Sequence, residues 1–369
     1  MWVRVIRYSD IAVLRRVLAP VLAPVLVLAA CSSPDRAPGA SPAAVPTESP
    51  VDAPSASNVP SASTSVTIIR VHYPAGGRAI VLRGSLAPYQ WDRGTNMEPG
   101  PDDTWTLRTT GVTAPLEVKP LLDDAVWARG PNYRVTPGAT VDLYPHFTRA
   151  QGAYARAYAF TSQALGNTRG VWIYQPPSYL ENTRARMPVV YMHDGQNLFD
   201  PGTAAFGNEW KVDETLDAAA EDGTIAEALV IGIENTPDRM SEYTPVADPQ
   251  LGGGNGAAYL RMIVDELKPR VDAELRTLGD REHTVMVGSS LGGLLTSYAG
   301  VERADVFALV GVMSPSTWWD ERWLLGEVAT TRPAPRPLAV HDVHHPPGRQ
   351  RAQRRRRRQI NRRTKTHVV

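Results

Sequence analysis

Apolar and polar positions change their spacing several times along the chain. Residues 17–30 are an apolar run broken by Pro20 and Pro24 and preceded by Arg4, Arg7, Arg15 and Arg16. A bilayer span needs about 20 apolar residues, so this pattern predicts a cleaved export signal over 1–30 instead of a spanning helix. Residues 32–64 are mostly Ser, Pro and Ala, which bury too little surface to offset chain entropy, and they predict a flexible tether. From 65 to 150 the apolar positions fall in short alternating runs, at 66–71, 79–82, 105–107 and 140–143, separated by turn clusters such as Pro74-Ala75-Gly76-Gly77. Strands this short, at close spacing and without a helical period, predict a small antiparallel β-sandwich.

After residue 155 the pattern becomes α/β. Apolar runs at 171–174, 189–192, 229–233, 284–287 and 307–313 alternate with helix-like stretches at 212–220, 257–275 and 294–301. This alternation predicts a mostly parallel sheet with helices on both faces over 155–340. No internal repeat interrupts it, and 369 residues accommodate two domains.

The chemistry is concentrated in Gly288-Ser289-Ser290-Leu291-Gly292-Gly293, which follows a predicted strand and opens a predicted helix. Glycines flanking a serine at such a junction form a nucleophile elbow, because the sharp turn leaves no room for a Cβ beside the hydroxyl. Ser290 is the candidate nucleophile, and a Gly-rich packing turn is the alternative. An acyl-transfer serine also needs a base, an orienting carboxylate and backbone donors for the oxyanion. The Leu291 amide is one candidate donor, and the loop after 189–192 offers the other.

That loop reads His193-Asp194-Gly195-Gln196-Asn197. Together with Arg239, Glu242-Tyr243-Thr244-Pro245, Glu266-Leu267-Lys268-Pro269 and the elbow, it resembles the putative esterase family of esterase D, enterochelin esterases and feruloyl or acetylxylan esterases, and more distantly the mycolyltransferases. The resemblance implies an α/β-hydrolase fold, acyl-enzyme chemistry at Ser290 and an oxyanion hole formed by the Gln196 and Leu291 amides. It further implies a small-molecule or polysaccharide-linked ester as substrate, and no cofactor. His193 and Asp194 fall in the implied oxyanion loop, so they are assigned to shaping it and not to the triad. His283 is assigned to the far edge of the sheet. Trp210, Trp318 and Trp319 either wall a substrate pocket or pack the fold.

Leu28-Ala29-Ala30-Cys31 resembles a bacterial lipobox, which implies a lipidated Cys31 and an exported, envelope-anchored or otherwise secreted protein. Cys31 is the one cysteine, so the chain forms no internal disulfide. The sandwich loosely resembles a starch-binding or immunoglobulin-like module through Arg83-Gly84-Ser85, Trp91-Asp92, Trp105 and Glu117-Val118-Lys119. Trp91, Trp105 and Trp127 either stack on a glycan or fill the sandwich core, and the core is preferred.

In α/β-hydrolases the acid and then the histidine follow the nucleophile on later loops. Asp342 stands where the acid would fall, after a short strand predicted at 338–340. The base is unassigned, since the 29 residues after Val340 contain His341, His344, His345 and His367 but no apolar run. Residues 341–369 carry a net charge of +9 against −8 for the rest of the chain. A basic block of this kind suits nucleic acid or an anionic membrane. Its abrupt start inside a regular αβ pattern is read instead as an out-of-frame or rearranged C-terminus, and no nucleic-acid partner is expected. No histidine pair has zinc-protease spacing, so neither His193, Asp194 and Asp200 nor the tail histidines are taken as a metal site. Two competing readings remain: a non-catalytic glycan-binding lipoprotein, and an acyltransferase to a cell-wall sugar.

Overall fold

The computed structural model describes residues 65–110, 112–330 and 339–343. The export signal, Cys31, the tether, His344, His345, His367 and the Arg-rich run lie outside the described residues.

The first part is a two-sheet sandwich. One sheet has the order Glu98–Pro99, Thr104–Thr109, Thr67–His72, Thr140–Leu143, and the second runs Thr95–Asn96, Ile80–Gly84, Leu116–Leu122, Val126–Trp127, with Tyr133–Val135 also paired to Leu116–Leu122. All pairings are antiparallel except that of Thr67–His72 with Thr140–Leu143. Alternate positions face inward, so Ile69, Val71, Ile80, Leu82, Leu116 and Val118 form the core between the sheets.

Trp91 and Trp127 do not belong to that core, contrary to the preferred sequence assignment. Trp127 lies opposite Leu121, and Leu121 opposite Val81, on the outer face of the second sheet. There Trp91 and Trp127 remain 37% and 40% exposed. Their ring centroids are 6.3 Å apart, and the Arg83 guanidinium sits 5.1 Å over the Trp127 ring. Trp105 is half-buried against the core, with its indole N–H donating to the Tyr73 carbonyl at 3.3 Å.

The second part is a seven-stranded sheet in the order Ala153–Thr161, Thr168–Gln175, Leu229–Ile233, Val189–His193, Thr284–Ser289, Leu309–Met313, Ala339–Val343. The first two pairings are antiparallel and the rest are parallel, which with the flanking helices gives the α/β architecture that the sequence predicts. The central strands are apolar throughout because both faces are covered. Val189, Tyr191, Ile231 and Met286 turn to one core, together with Leu294, Leu295 and Tyr259 from the helices. Val190, Met192, Val230 and Val285 turn to the other, against Val212 and Leu216 of helix Val212–Glu221.

Glu181 and Asn182, at the end of helix Pro177–Glu181, join the two parts. The Asn182 amide group donates to the His72 and Pro145 carbonyls at 2.8 and 2.9 Å, and Glu181 receives the amides of Phe147, Thr148 and Arg149.

Candidate active site

Ser290 stands at the junction of strand Thr284–Ser289 and helix Leu291–Glu302, with φ 59° and ψ −120°. A non-glycine residue in this region is strained by about 1–3 kcal/mol and persists only where its surroundings fix it. Here the Ser290 amide donates to the Met313 carbonyl at 3.1 Å, and the Ser316 amide donates to the Ser290 carbonyl at 3.0 Å. Gly288 is required by close approach: a Cβ there would strike the Gly292 carbonyl and lie 2.6 Å from the His193 ring. The outcome is an exposed Ser290 side chain at the C-terminal end of a central parallel strand. Its hydroxyl is 3.3 Å from that of buried Ser316.

Strand Val189–His193 ends beside it, with Met192 in register with Val287. The chain then turns through Asp194, at φ 58° and ψ 44°, into the one-turn helix Gly195–Asn197. Gly195 packs so tightly that a Cβ would lie 2.7 Å from the Ile233 amide nitrogen. The Gln196 and Leu291 amides, the two sequence-predicted oxyanion donors, have no backbone acceptor among the described residues. The Asp194 carboxylate accepts Arg239 Nε at 2.7 Å, Arg239 Nη2 at 2.8 Å and Asn235 Nδ2 at 2.6 Å. Burial alone would push its acidity the other way, but Arg239 and Asn235 hold the carboxyl below its ordinary value.

His193 is fully buried behind the elbow, with Nδ1 3.3 Å from the Tyr259 hydroxyl and Nε2 without a partner among the described residues. Burial lowers it to about 4; the nearby Asp194 opposes the shift, and Arg239 and Arg169 add to it. His283 pairs with Asp280 at 2.7 Å at the opposite end of the same strand from Ser290. Trp319 is core, its indole donating to the Val246 carbonyl at 2.9 Å, whereas Trp318 is exposed and Trp210 half-buried. Among the described residues no three His, Cys, Asp or Glu side chains converge as metal ligands.

Asp342 requires a correction. Strand Ala339–Val343 pairs along its length with Leu309–Met313, so Asp342 lies within the strand, opposite Val312, and not on the loop beyond it. His341 lies in the same strand, opposite Gly311. Sequence reasoning missed Ser316, whose one signal is its place just after a parallel strand beside the elbow. It also missed Asn235, in the loop after Leu229–Ile233.

A family model described as "Putative esterase" matches residues 162–367, more than half of the chain. The chain belongs to the putative esterase family. The match takes in the Arg-rich segment that the sequence reading set apart from the domain. Among curated relatives, this esterase-family chain is 29% identical over 165 residues to the uncharacterized protein YbbA of Bacillus subtilis, covering 43% of this chain and 61% of that protein. It is also 29% identical over 185 residues to an iron(III) salmochelin esterase of Escherichia coli, covering 49% of this chain and 40% of that protein. It thus spans less than two thirds of each relative. Among solved structures, an IroE-like serine hydrolase from Shewanella oneidensis is 26% identical with a TM-score of 0.40, over 48% of this chain and 55% of that one.

Proposed function

We propose that the chain is a serine carboxylic-ester hydrolase acting through an acyl-Ser290 intermediate. The observation that carries this reading is the strained, exposed Ser290 at the turn from a central parallel strand into helix Leu291–Glu302. The Ser290 oxygen attacks the ester carbonyl carbon and its proton passes to a base. The Leu291 and Gln196 amides hydrogen-bond the resulting oxyanion, a contribution worth about 3–4 kcal/mol per donor in serine hydrolases. Collapse expels the alcohol, which takes that proton from the base; water, giving a proton to the same base, then cleaves the acyl-serine, Ser290 recovers the proton and the acid product leaves. By the chain order of α/β-hydrolases the base is drawn from His344, His345 or His367, all inside the matched stretch.

The substrate class follows the named relatives: small-molecule siderophore esters, or polysaccharide-linked esters like those of the endo-1,4-β-xylanase/feruloyl esterase of Xylanibacter ruminicola. The exposed Trp91 and Trp127 rings, with Arg83 and Asp124 at their rim, support glycan contact by the sandwich. We further propose export and envelope anchoring through a lipidated Cys31, on the strength of the apolar N-terminal run and its Leu28-Ala29-Ala30-Cys31 end.

Hydrolysis of p-nitrophenyl acetate by the full chain, with fluorophosphonate labelling, tests the central claim. Both should disappear in Ser290→Ala. A Ser290→Ala variant as active as the parent would overturn the assignment, and a folded parent that neither hydrolyses nor labels would favour a non-catalytic binding protein.

A further inference from the structure

The ion pair beneath the oxyanion loop has no place in the acyl-transfer steps above. Asp194 is 4% exposed and accepts a two-pronged contact from Arg239, whose side chain stays partly open to solvent. Burying a carboxylate is costly, and a buried pair often stabilises a fold no better than apolar residues would. What the pair does supply is direction: a guanidinium fork fixes both the position and the plane of the carboxylate it grips.

Further contacts to this loop come from the same short segment, while on its other side the Thr203 hydroxyl donates to the Gln196 carbonyl and the Trp210 amide to the Asn197 carbonyl, each at 2.8 Å. Asp194 donates its amide to the Tyr243 hydroxyl at 3.2 Å, and Gln196 Oε1 accepts the Asn235 amide at 3.2 Å. Arg239 itself lies 4.8 Å over the Tyr243 ring. The segment is anchored from behind by the fully buried Arg169–Glu242 pair at 2.7 Å, with Asn167 and Thr236 also donating to Glu242. A rigid block over 235–243 thus holds Asp194 in its left-handed conformation, and with it the course of the chain into Gln196.

We infer that Arg239 is a positioning residue, which through Asp194 sets the Gln196 amide for the oxyanion. The inference rests on the proposed serine-esterase reading. Arg239→Met alone leaves a buried, unpaired carboxylate and is liable to unfold, so the informative variant is the double substitution Asp194→Asn with Arg239→Met. It removes both charges, and asparagine tolerates the left-handed backbone.

In the full chain, the double variant should melt close to the parent. Its kcat on p-nitrophenyl acetate should fall about 10- to 100-fold with KM little changed, as when an interaction made only in the transition state is lost. Amide exchange over 194–197 should quicken at least about fivefold. A kcat that returns to the parent value along with stability, a loss confined to KM, or unchanged exchange over 194–197 each overturns the inference. The exchange result decides even if the parent turns over too slowly to measure. Ser290→Ala run alongside separates the two ideas: an active Ser290→Ala sinks the serine reading, while an inactive one beside a fully active double variant sinks only the positioning role.

Discussion

Replacing Glu181 by Gln should loosen the junction between sandwich and α/β sheet, by an amount that depends on pH. Its carboxylate accepts five hydrogen bonds: from the Tyr73 hydroxyl at 2.9 Å, the Phe147, Thr148 and Arg149 amides at 2.7, 2.9 and 2.8 Å, and the Thr148 hydroxyl at 2.6 Å. Burial opposes the charge, but the Thr148 hydroxyl and the three amides outweigh it and carry the carboxyl from 4.5 down to about 2. At about 1.36 kcal/mol per pH unit this caps the contribution near 3.4 kcal/mol. The group is partly open to water, and screening reduces the figure to about 1–2 kcal/mol. The folded protein binds this proton more weakly than the unfolded chain does. The stabilisation is therefore complete above pH 4.5 and fades as the pH falls toward 2. Urea unfolding of the full chain and of Glu181→Gln measures it: the variant should be less stable by about 1–2 kcal/mol near neutrality, and the gap should narrow on acidification below the ordinary carboxyl range. A gap that persists unchanged in acid, or that is absent at neutrality, would refute the charge-based account.

Gly288→Ala should cost about 1–3 kcal/mol of stability by overpacking against Gly292 and His193. It should also slow fluorophosphonate labelling of Ser290 at least about tenfold, since small displacements of a reacting group are expensive; thermal melts and labelling rates check both effects. Trp127→Ala should weaken adsorption of the full chain to an insoluble polysaccharide such as xylan about two- to tenfold, in keeping with about 0.5–1.5 kcal/mol per aromatic contact. A pull-down at fixed polysaccharide reads the loss, and equal retention of variant and parent would return Trp127 to a purely structural role.

The central sheet was legible because its strands are buried on both faces and therefore read as unbroken apolar runs. Leu229–Ile233 matches its predicted bounds residue for residue. Strand Ala153–Thr161 was not legible: Ala153 to Ala157 are exposed, and its small, Arg and Tyr side chains give no apolar face to detect. Leu116–Leu122 was hidden by Pro120 in its interior. Ser290 was readable because the elbow's constraints lie within a few residues of one another. Ser316 and the Arg239 contact to Asp194 were not, because they are brought together across 26 and 45 residues of chain. The tryptophans illustrate a third limit. Which face of a strand a residue occupies follows from its register, and the register of Trp127 with Leu121 is a property of the folded pair.

Two strained residues of the site, Asp194 and Ser290, each follow closely on the end of one of two adjacent parallel strands, with φ of 58° and 59°. Between them lies His193, whose ring would collide with a Cβ on Gly288 and is in van der Waals reach of one on Gly292. The glycines of the elbow therefore serve the loop on the neighbouring strand as well as the serine's own turn, because they admit the ring that separates the two. Fully buried and lowered to about 4, that ring is neutral near pH 7 and poorly suited to take up a proton released by Ser290. A spacer of fixed size and no charge is what two close, strained turns require. That is why a histidine next to the strand leading to Ser290 belongs with the architecture of the adjoining loop, and why the reading proposed above looks for the base further along the chain.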